Sequence, residues 1–275
     1  MTALAATLHD PAGRMLPLLK RHAPALAAYA AVAIAITPET DDRVAAVLRA
    51  NGGNLLRGGS EVGRGRRDAV AAASRVVDGD VLCVDFDRWL FWIETHPDEL
   101  LALPARLAAR RPRPWYAAVG RSRRAWETHP AAQRACEGPT NRALSLAAGR
   151  ILDATAGCCW LAPDGVRLVL AASTEASNAT DLEWPALVLR HDRRRLGFVR
   201  VEGLAFETAA FYPREVKTAG GVTAWIAQTY DRPEVWAARL RLAADSAAAL
   251  TRVLGPSDSR LGAASPEDRG RGKRR

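Results

Sequence analysis

Two short runs in this chain are almost wholly apolar: YAAVAIAI (Tyr29–Ile36) and VLCV (Val81–Val84). A strand with one wet face alternates apolar and polar side chains. An unbroken apolar run instead suits a strand covered on both faces, as in parallel sheets packed between helices. The segments between supply those helices. DDRVAAVLRA places Val44, Val47 and Leu48 on one face, with Asp41 or Asp42 as its N-cap. GRGRRDAVAAASRVV runs from a glycine turn into an Ala-rich helix, and HPDELLALPARLAARR carries Pro97 in its first turn, where a missing N–H costs nothing. PEVWAARLRLAADSAAALTRVL reads as a closing helix. GGNLLRGG and WYAAVGRS add strands, LGFVRVEGLAFET a strand or hairpin, and THPAAQRACEGPTNRALSLAAG a helix broken at Pro139. The alternation predicts an α/β fold with a mostly parallel central sheet flanked by helices.

At 275 residues the chain can bury roughly three quarters of its unfolded surface, which suits one domain of this class. We expect that domain over 25–254, after an amino-terminal lead-in over 1–24. A disordered basic tail is expected over 255–275, where Gly, Ser and Pro predominate. Of the formal net charge of +9, the tail supplies +3, from six Arg/Lys against three acids. Lys occurs only at 20, 217 and 273, so the positive charge is an arginine bias rather than a basic face, and no nucleic-acid partner is expected. The tail is compatible with weak peripheral contact with an anionic membrane.

The cysteines at 83, 136, 158 and 159 lack zinc spacing, and His96, His129 and His191 are scattered. A reduced, cytoplasmic protein is the expectation. No apolar stretch reaches the ~18 residues that span a bilayer. Asp10 and Arg14 interrupt the amino-terminal apolar residues, so no signal peptide is expected.

The chemistry concentrates where Val81–Val84 ends. Asp85 and Asp87 follow at once, then Trp89, Leu90, Phe91 and Trp92, so this is no solvated turn. Ligands of open α/β sheets bind outside the carboxyl ends of the strands. Two carboxylates ~4 Å apart repel by about 4 kcal/mol at an effective dielectric of 20. A hard divalent cation, Mg²⁺ or Mn²⁺, would remove that repulsion, so Asp85 and Asp87 are the candidate metal ligands.

With its surroundings, this stretch resembles the GT-A glycosyltransferases, nearest the inverting family-two enzymes that include dolichyl- and polyprenyl-phosphate sugar transferases. Their glycine-turn helix precedes a-x-G-D-x-h-h-h-h-D-x-D. Here GRGRRDAVAAASRVVDGDVLCVDFD supplies Gly63, Gly65, Ala69, Ala73, Gly79, Asp80, Asp85 and Asp87. An Asn-bearing helix and D-x-T-S-G follow in that family. This chain has Asn141 and then Asp153, Thr155 and Gly157. TDLEWPALVLRHDRRRLGFVRVEGLAF matches the later acidic pair and strand, with Asp181 and Glu183. On this alignment Tyr29–Ile36 is the first strand, and TPETDD, with Glu39, stands for its P-T-Y-N-E-like turn. The D-D-G-S-x-D after the second strand, whose first Asp holds the nucleobase, has no counterpart in GGNLLRGGSEVG.

The resemblance implies a GT-A-like domain and transfer of a sugar from a nucleoside-diphosphate sugar to an unknown acceptor. It implies Asp181 or Glu183 as general base, and donor or substrate contacts from Glu39, Gly63, Gly65, Arg66, Asp153 and Trp184, the last stacking on a sugar face. Two alternatives stay open at this level: a catalytically inactive GT-A-like binding module, and a haloacid-dehalogenase-type phosphatase with Asp85 as nucleophile.

Overall fold

The computed structural model describes residues 1–255; the expected tail lies outside them except for Gly255. Seven strands form one sheet: β1 Thr2–Leu8, β2 Val32–Ile36, β3 Gly53–Arg57, β4 Asp80–Asp85, β5 Tyr116–Arg121, β6 Cys158–Leu161 and β7 Leu196–Val201. The early helices are α1 Leu16–His22, α2 Asp42–Ala50, α3 Val62–Val76, α4 Phe86–Thr95, α5 Pro97–Ala108 and α6 Arg123–Glu127. The later ones are α7 Ala131–Ala148, α8 Pro163–Ala172, α9 Thr180–Asp192, α10 Pro213–Thr218, α11 Val222–Tyr230 and α12 Pro233–Leu254. Strand order is β3-β2-β1-β4-β6-β5-β7. All neighbours are parallel except β6, which runs antiparallel to both β4 and β5.

The expected lead-in is the first correction. Residues 1–24 contain β1, which pairs with β2 on one side and β4 on the other. TALAATL is rich in alanine, a residue depleted in strands, so it carries little strand signal of its own. It is a strand because its flanking strands supply the missing hydrogen bonds. Tyr29–Ile36 therefore contains the second strand, not the first, and the motif alignment shifts by one. TPETDD is the turn after β2, the place where the resembling family keeps its nucleobase acid. Two of its three acids have other partners: Asp41 caps α2 through the Arg43 N–H at 2.8 Å, and Asp42 pairs with Arg57 at 2.7 Å.

The two sheet faces differ in kind. One is covered by large side chains, and the aromatic run after Asp87 proves to be α4, burying Phe86, Trp89, Leu90 and Trp92 there. The other is alanine-rich where α3 lies: Ala3, Ala5, Ala33 and Ala35 on the sheet meet Ala69, Val70, Ala72 and Ala73 of α3. Small residues on both partners let α3 lie close to β1 and β2. A Cβ added at Gly65 would stand 3.4 Å from both the Ala35 and Thr7 side chains. The expected break at Pro139 does not occur; α7 runs through it, losing one backbone rung. The four cysteines are buried and unbridged. No described helix is long and apolar enough to cross a membrane.

The close α3 contact is testable. Ala5, with 0% exposure, has no room for a larger side chain. Ala5→Leu should cost about 1–3 kcal/mol by overpacking, read as a lower denaturation midpoint, whereas Ala5→Gly should cost less.

Candidate active site

Asp85 is the last residue of β4, and its N–H donates to the Gly157 carbonyl at 3.0 Å. Gly157 has φ +63°, and a Cβ there would collide with the Asp85 carboxylate. The glycine is thus needed twice, for its backbone and for the space. The carboxylate accepts from Arg66 Nη2 at 3.0 and 3.2 Å and from the Thr7 hydroxyl at 3.1 Å, with Arg88 Nε at 3.7 Å. Arg66 comes from the start of α3 and is buried. Its Nη1 donates to Asp181 at 2.6 Å and to the Thr180 hydroxyl at 3.1 Å. One guanidinium therefore joins α3, the end of β4 and the start of α9.

Beside this joint lie two clefts. The larger, about 340 Å³, opens at the carboxyl ends of β1 to β4 and is lined by His9, Thr37, Ser60, Arg64, Asp68 and Asp87, among others. The smaller, about 70 Å³, lies between Arg66, Arg88, Thr155 and Asp181 on one side and Arg239 and Ser246 of α12 on the other. Asp85 and Asn178 line both, so the clefts meet there.

Asp87 stands in the first turn of α4, and the polar contact it makes is with the Arg88 N–H at 2.8 Å. Burial, then the charges of Glu207 and Asp85, push its carboxyl up to about 7. Burial likewise raises Asp181 to about 6, with Arg66 opposing and Asp85 assisting. His129 is driven down to about 3 by burial and by Arg121 and Arg88, so it is neutral.

A supporting layer holds the motif Asp153–Gly157. Arg121, its side chain fully buried, donates to Asp153 at 2.7 and 2.9 Å, to Glu137 at 2.6 Å and to Thr155 at 2.9 Å. Asn141 donates to Asp153 and Thr155, each at 2.8 Å. Burial alone would raise the Asp153 carboxyl, but hydrogen bonds and charge from Arg121 bring it below its ordinary value.

The expected site residues therefore divide. Asp85, Asp87, Arg66, Gly65 and Asp181 come together around the clefts. Glu183 does not: it is 1% exposed and accepts from the Thr174 and Glu175 N–H groups at 3.0 and 3.1 Å, clamping the loop before α9. Trp184 is 2% exposed with its N–H on the Ser173 hydroxyl at 3.0 Å, so neither ring face is free for a sugar. Asp153 is held beneath Arg121 and lines neither cleft. Gly63 packs against the backbone of 175–177, and Glu39 is exposed in the turn after β2, outside the cleft walls. Thr7, Arg88, Asn178, Glu207 and Arg239 were not expected. Arg88 directly follows the paired aspartates; the other four have no motif to mark them.

The donor set fits a metal in part. The charge of Asp85 is already balanced by guanidinium groups, which removes the repulsion argument for that residue. Asp87 has no such partner. Among the described residues no group of three or more His, Cys, Asp or Glu side chains is arranged to hold an ion. One or two carboxylates completed by substrate phosphates is the usual Mg²⁺ arrangement, and Asp87 at the edge of the large cleft satisfies it.

No protein-family model matches this chain, and no curated protein matches it. Among solved structures it is similar to the glucosyl-3-phosphoglycerate synthase of Mycobacterium tuberculosis, determined with Mn²⁺, uridine diphosphate and phosphoglyceric acid. The TM-score is 0.52 at 12% identity, over 94% of this chain and 80% of that one. At this identity the likeness establishes the fold: a GT-A-like α/β domain. The phosphatase reading of Asp85 loses its support, because both carboxylate oxygens of the would-be nucleophile are bound by Arg66.

The raised carboxyls give a pH prediction. Folded values above the ordinary 3.8 mean that the native state keeps protons the unfolded chain has released. The stabilisation this contributes is complete below about pH 4 and lost as pH rises through 6 and 7. Melts without metal between about pH 4 and 8 should show Asp87→Asn losing less stability than wild type as pH rises. Parallel curves would refute the assignment.

Proposed function

We propose that this protein transfers a sugar from a nucleoside-diphosphate sugar to an acceptor hydroxyl, with donor in the large cleft and acceptor approaching through the small one. The observation that carries the reading is the meeting of the two clefts at Asp85 and Asn178, with Asp87 facing one and Asp181 the other. The GT-A-like fold agrees, and the similar structure described above binds Mn²⁺ and uridine diphosphate.

The large cleft crosses the ends of four adjacent strands, from Asp85 on β4 to Gly58 beyond β3. At about 4.8 Å per strand it spans roughly 14 Å, the scale of a nucleoside diphosphate with its phosphates at the Asp87 end. Arg64, on the cleft wall, is placed to pair with phosphate oxygens. Mg²⁺ or Mn²⁺ held by Asp87 would stabilise the charge growing on the departing diphosphate. Asp181 is the general base: its carboxyl, raised to about 6 by burial, titrates near neutral pH, where proton transfer is most effective. Arg66 holds Asp181 by Oδ1 and turns the carboxylate toward the small cleft. Attack from that side on a sugar whose leaving group points into the large cleft inverts the anomeric centre.

An inactive binding module of the same fold is the second reading. The occupation of Asp85 by Arg66 favours it. Release of nucleoside diphosphate from donor in the presence of acceptor separates the two.

Donor with Mg²⁺ or Mn²⁺, at a hundredfold excess over the dissociation constant, should stabilise the wild type by about 2.7 kcal/mol. Asp87→Asn should lose that metal-dependent gain without lowering stability in the absence of ligands, and an unchanged gain would remove Asp87 from the metal site.

The two acids of α9 should behave differently. Asp181→Asn should keep donor affinity while transfer falls by ~10²–10⁴-fold. Glu183→Ala should cost about 1–3 kcal/mol of stability by stranding the loop N–H groups, with the rate per folded molecule preserved. The reverse pattern would exchange their roles.

A further inference from the structure

The carboxyl-terminal turn of α7 gathers arginines that no acid answers. Gly149 and Arg150 close the turn, their N–H groups donating to the Leu146 and Ser145 carbonyls at 3.2 and 3.1 Å. Arg193 reaches the same turn from the short segment between α9 and β7. Its Nη2 donates to the Ala147 carbonyl at 3.1 Å, and its Nη1 stands 3.1 Å from where a Cβ on Gly149 would be. Arg110 donates from Nη1 to the Phe198 carbonyl of β7 at 2.6 Å. Partial burial and then the charges of Arg110 and Arg193 hold the Arg150 guanidinium below its ordinary value, so the three lie in one another's field. Arg194 and Arg195, next in the chain, both pair with Asp192. Arg110, Arg150 and Arg193 have no ion-pair partner among the described residues.

The helix itself offsets little of this charge. The carbonyls at the end of α7 carry the equivalent of about half a negative charge, against three guanidiniums. The remaining positive charge is open to solvent, and its counterpart is an anion from outside the chain. A guanidinium suits phosphate, which it pairs through two parallel N–H···O bonds. The apolar neighbours narrow the source of that phosphate. Leu146 and Ile151, on the same turn, are 64% and 68% exposed. A dissolved phosphate compound would leave both side chains in water. The surface of an anionic bilayer takes both groups, with phosphates on the arginines and the apolar side chains at the acyl boundary. β7 is the outer strand of the sheet, three beyond β4, and no residue of this turn lines either cleft.

We infer that the carboxyl-terminal turn of α7, with Arg110, Arg150 and Arg193 around Leu146 and Ile151, docks this protein on an anionic phospholipid surface. The arginines supply the attraction, about fivefold in affinity for each charge at such a surface. The two apolar side chains supply the insertion. The docking surface is independent of the sugar-transfer reading, because none of its residues belongs to the clefts.

The test is sedimentation of the full chain with vesicles of phosphatidylcholine, alone or mixed with phosphatidylglycerol. Wild type should bind the mixed vesicles, leave them as salt rises, and ignore phosphatidylcholine alone. Arg150→Ala should weaken binding about fivefold, and Arg150→Glu further; both should keep the wild-type melting temperature. Ile151→Asn should weaken binding although it removes no charge. Arg49→Glu makes the same charge change on α2, beside β3 at the opposite end of the sheet, and should bind like wild type. If Arg150→Glu binds normally, or Arg49→Glu loses as much as Arg150→Glu, the net charge or the basic tail is the anchor and the inference is wrong. If Ile151→Asn binds normally, the ligand is the phosphate group alone and the bilayer reading fails. A wild type that ignores the mixed vesicles overturns the inference outright. If it instead binds polyuridylate through Arg150, the partner is RNA.

Discussion

The carboxyl edge of the sheet is organised around one buried guanidinium. Arg66 holds Asp85 and Asp181 together, and these two residues come from segments almost a hundred positions apart. Removing one partner of a buried ion pair leaves an uncompensated charge, a loss on the order of 3–5 kcal/mol. Arg66 therefore sets the positions of both carboxylates, and the wall between the two clefts depends on it. What lets it reach them is the packing beneath. Alanine on both α3 and the sheet, with Gly65 at the point of approach, brings the helix near enough for a side chain in its second turn to reach over the strand ends.

That arrangement changes the electrostatic argument about the paired aspartates. Two carboxylates at a strand end need compensation, and a divalent cation is one source of it. Here the protein supplies it for Asp85 through Arg66, Arg88 and Thr7, while Asp87, buried beside two other acids, has only the charge and N–H of Arg88, too little to hold its carboxyl at its ordinary value. The result is an asymmetric pair. Asp85 is part of the scaffold that divides the clefts, and Asp87 is the carboxylate with binding capacity to spare.

Behind the clefts a second buried arginine repeats the device. Arg121 gathers Glu137, Asp153 and Thr155, with Asn141 closing the network. Its residues are satisfied by one another, so its function is to hold the loop that ends at Gly157 against Asp85.

Much of this was legible in the amino-acid order. Apolar runs marked β2 and β4 because burial on both faces leaves no room for polar side chains. The aspartates after Val84 marked the sheet edge at which the clefts open, and Asn141 with Asp153 and Thr155 marked a motif whose members do meet. The α9 acids were open to local reasoning too: residues two apart on a helix point about 200° away from each other, so Asp181 and Glu183 do not share a cleft. Tertiary structure alone decided the rest. TALAATL is a strand only because β2 and β4 flank it, since alanine has no strand preference to declare. Arg66 is an ion-pair partner rather than a solvated arginine because the depth of α3 is set by the residues opposite it. The walls of the clefts are drawn from every part of the chain, and no local pattern encodes which distant carboxylate a guanidinium will meet.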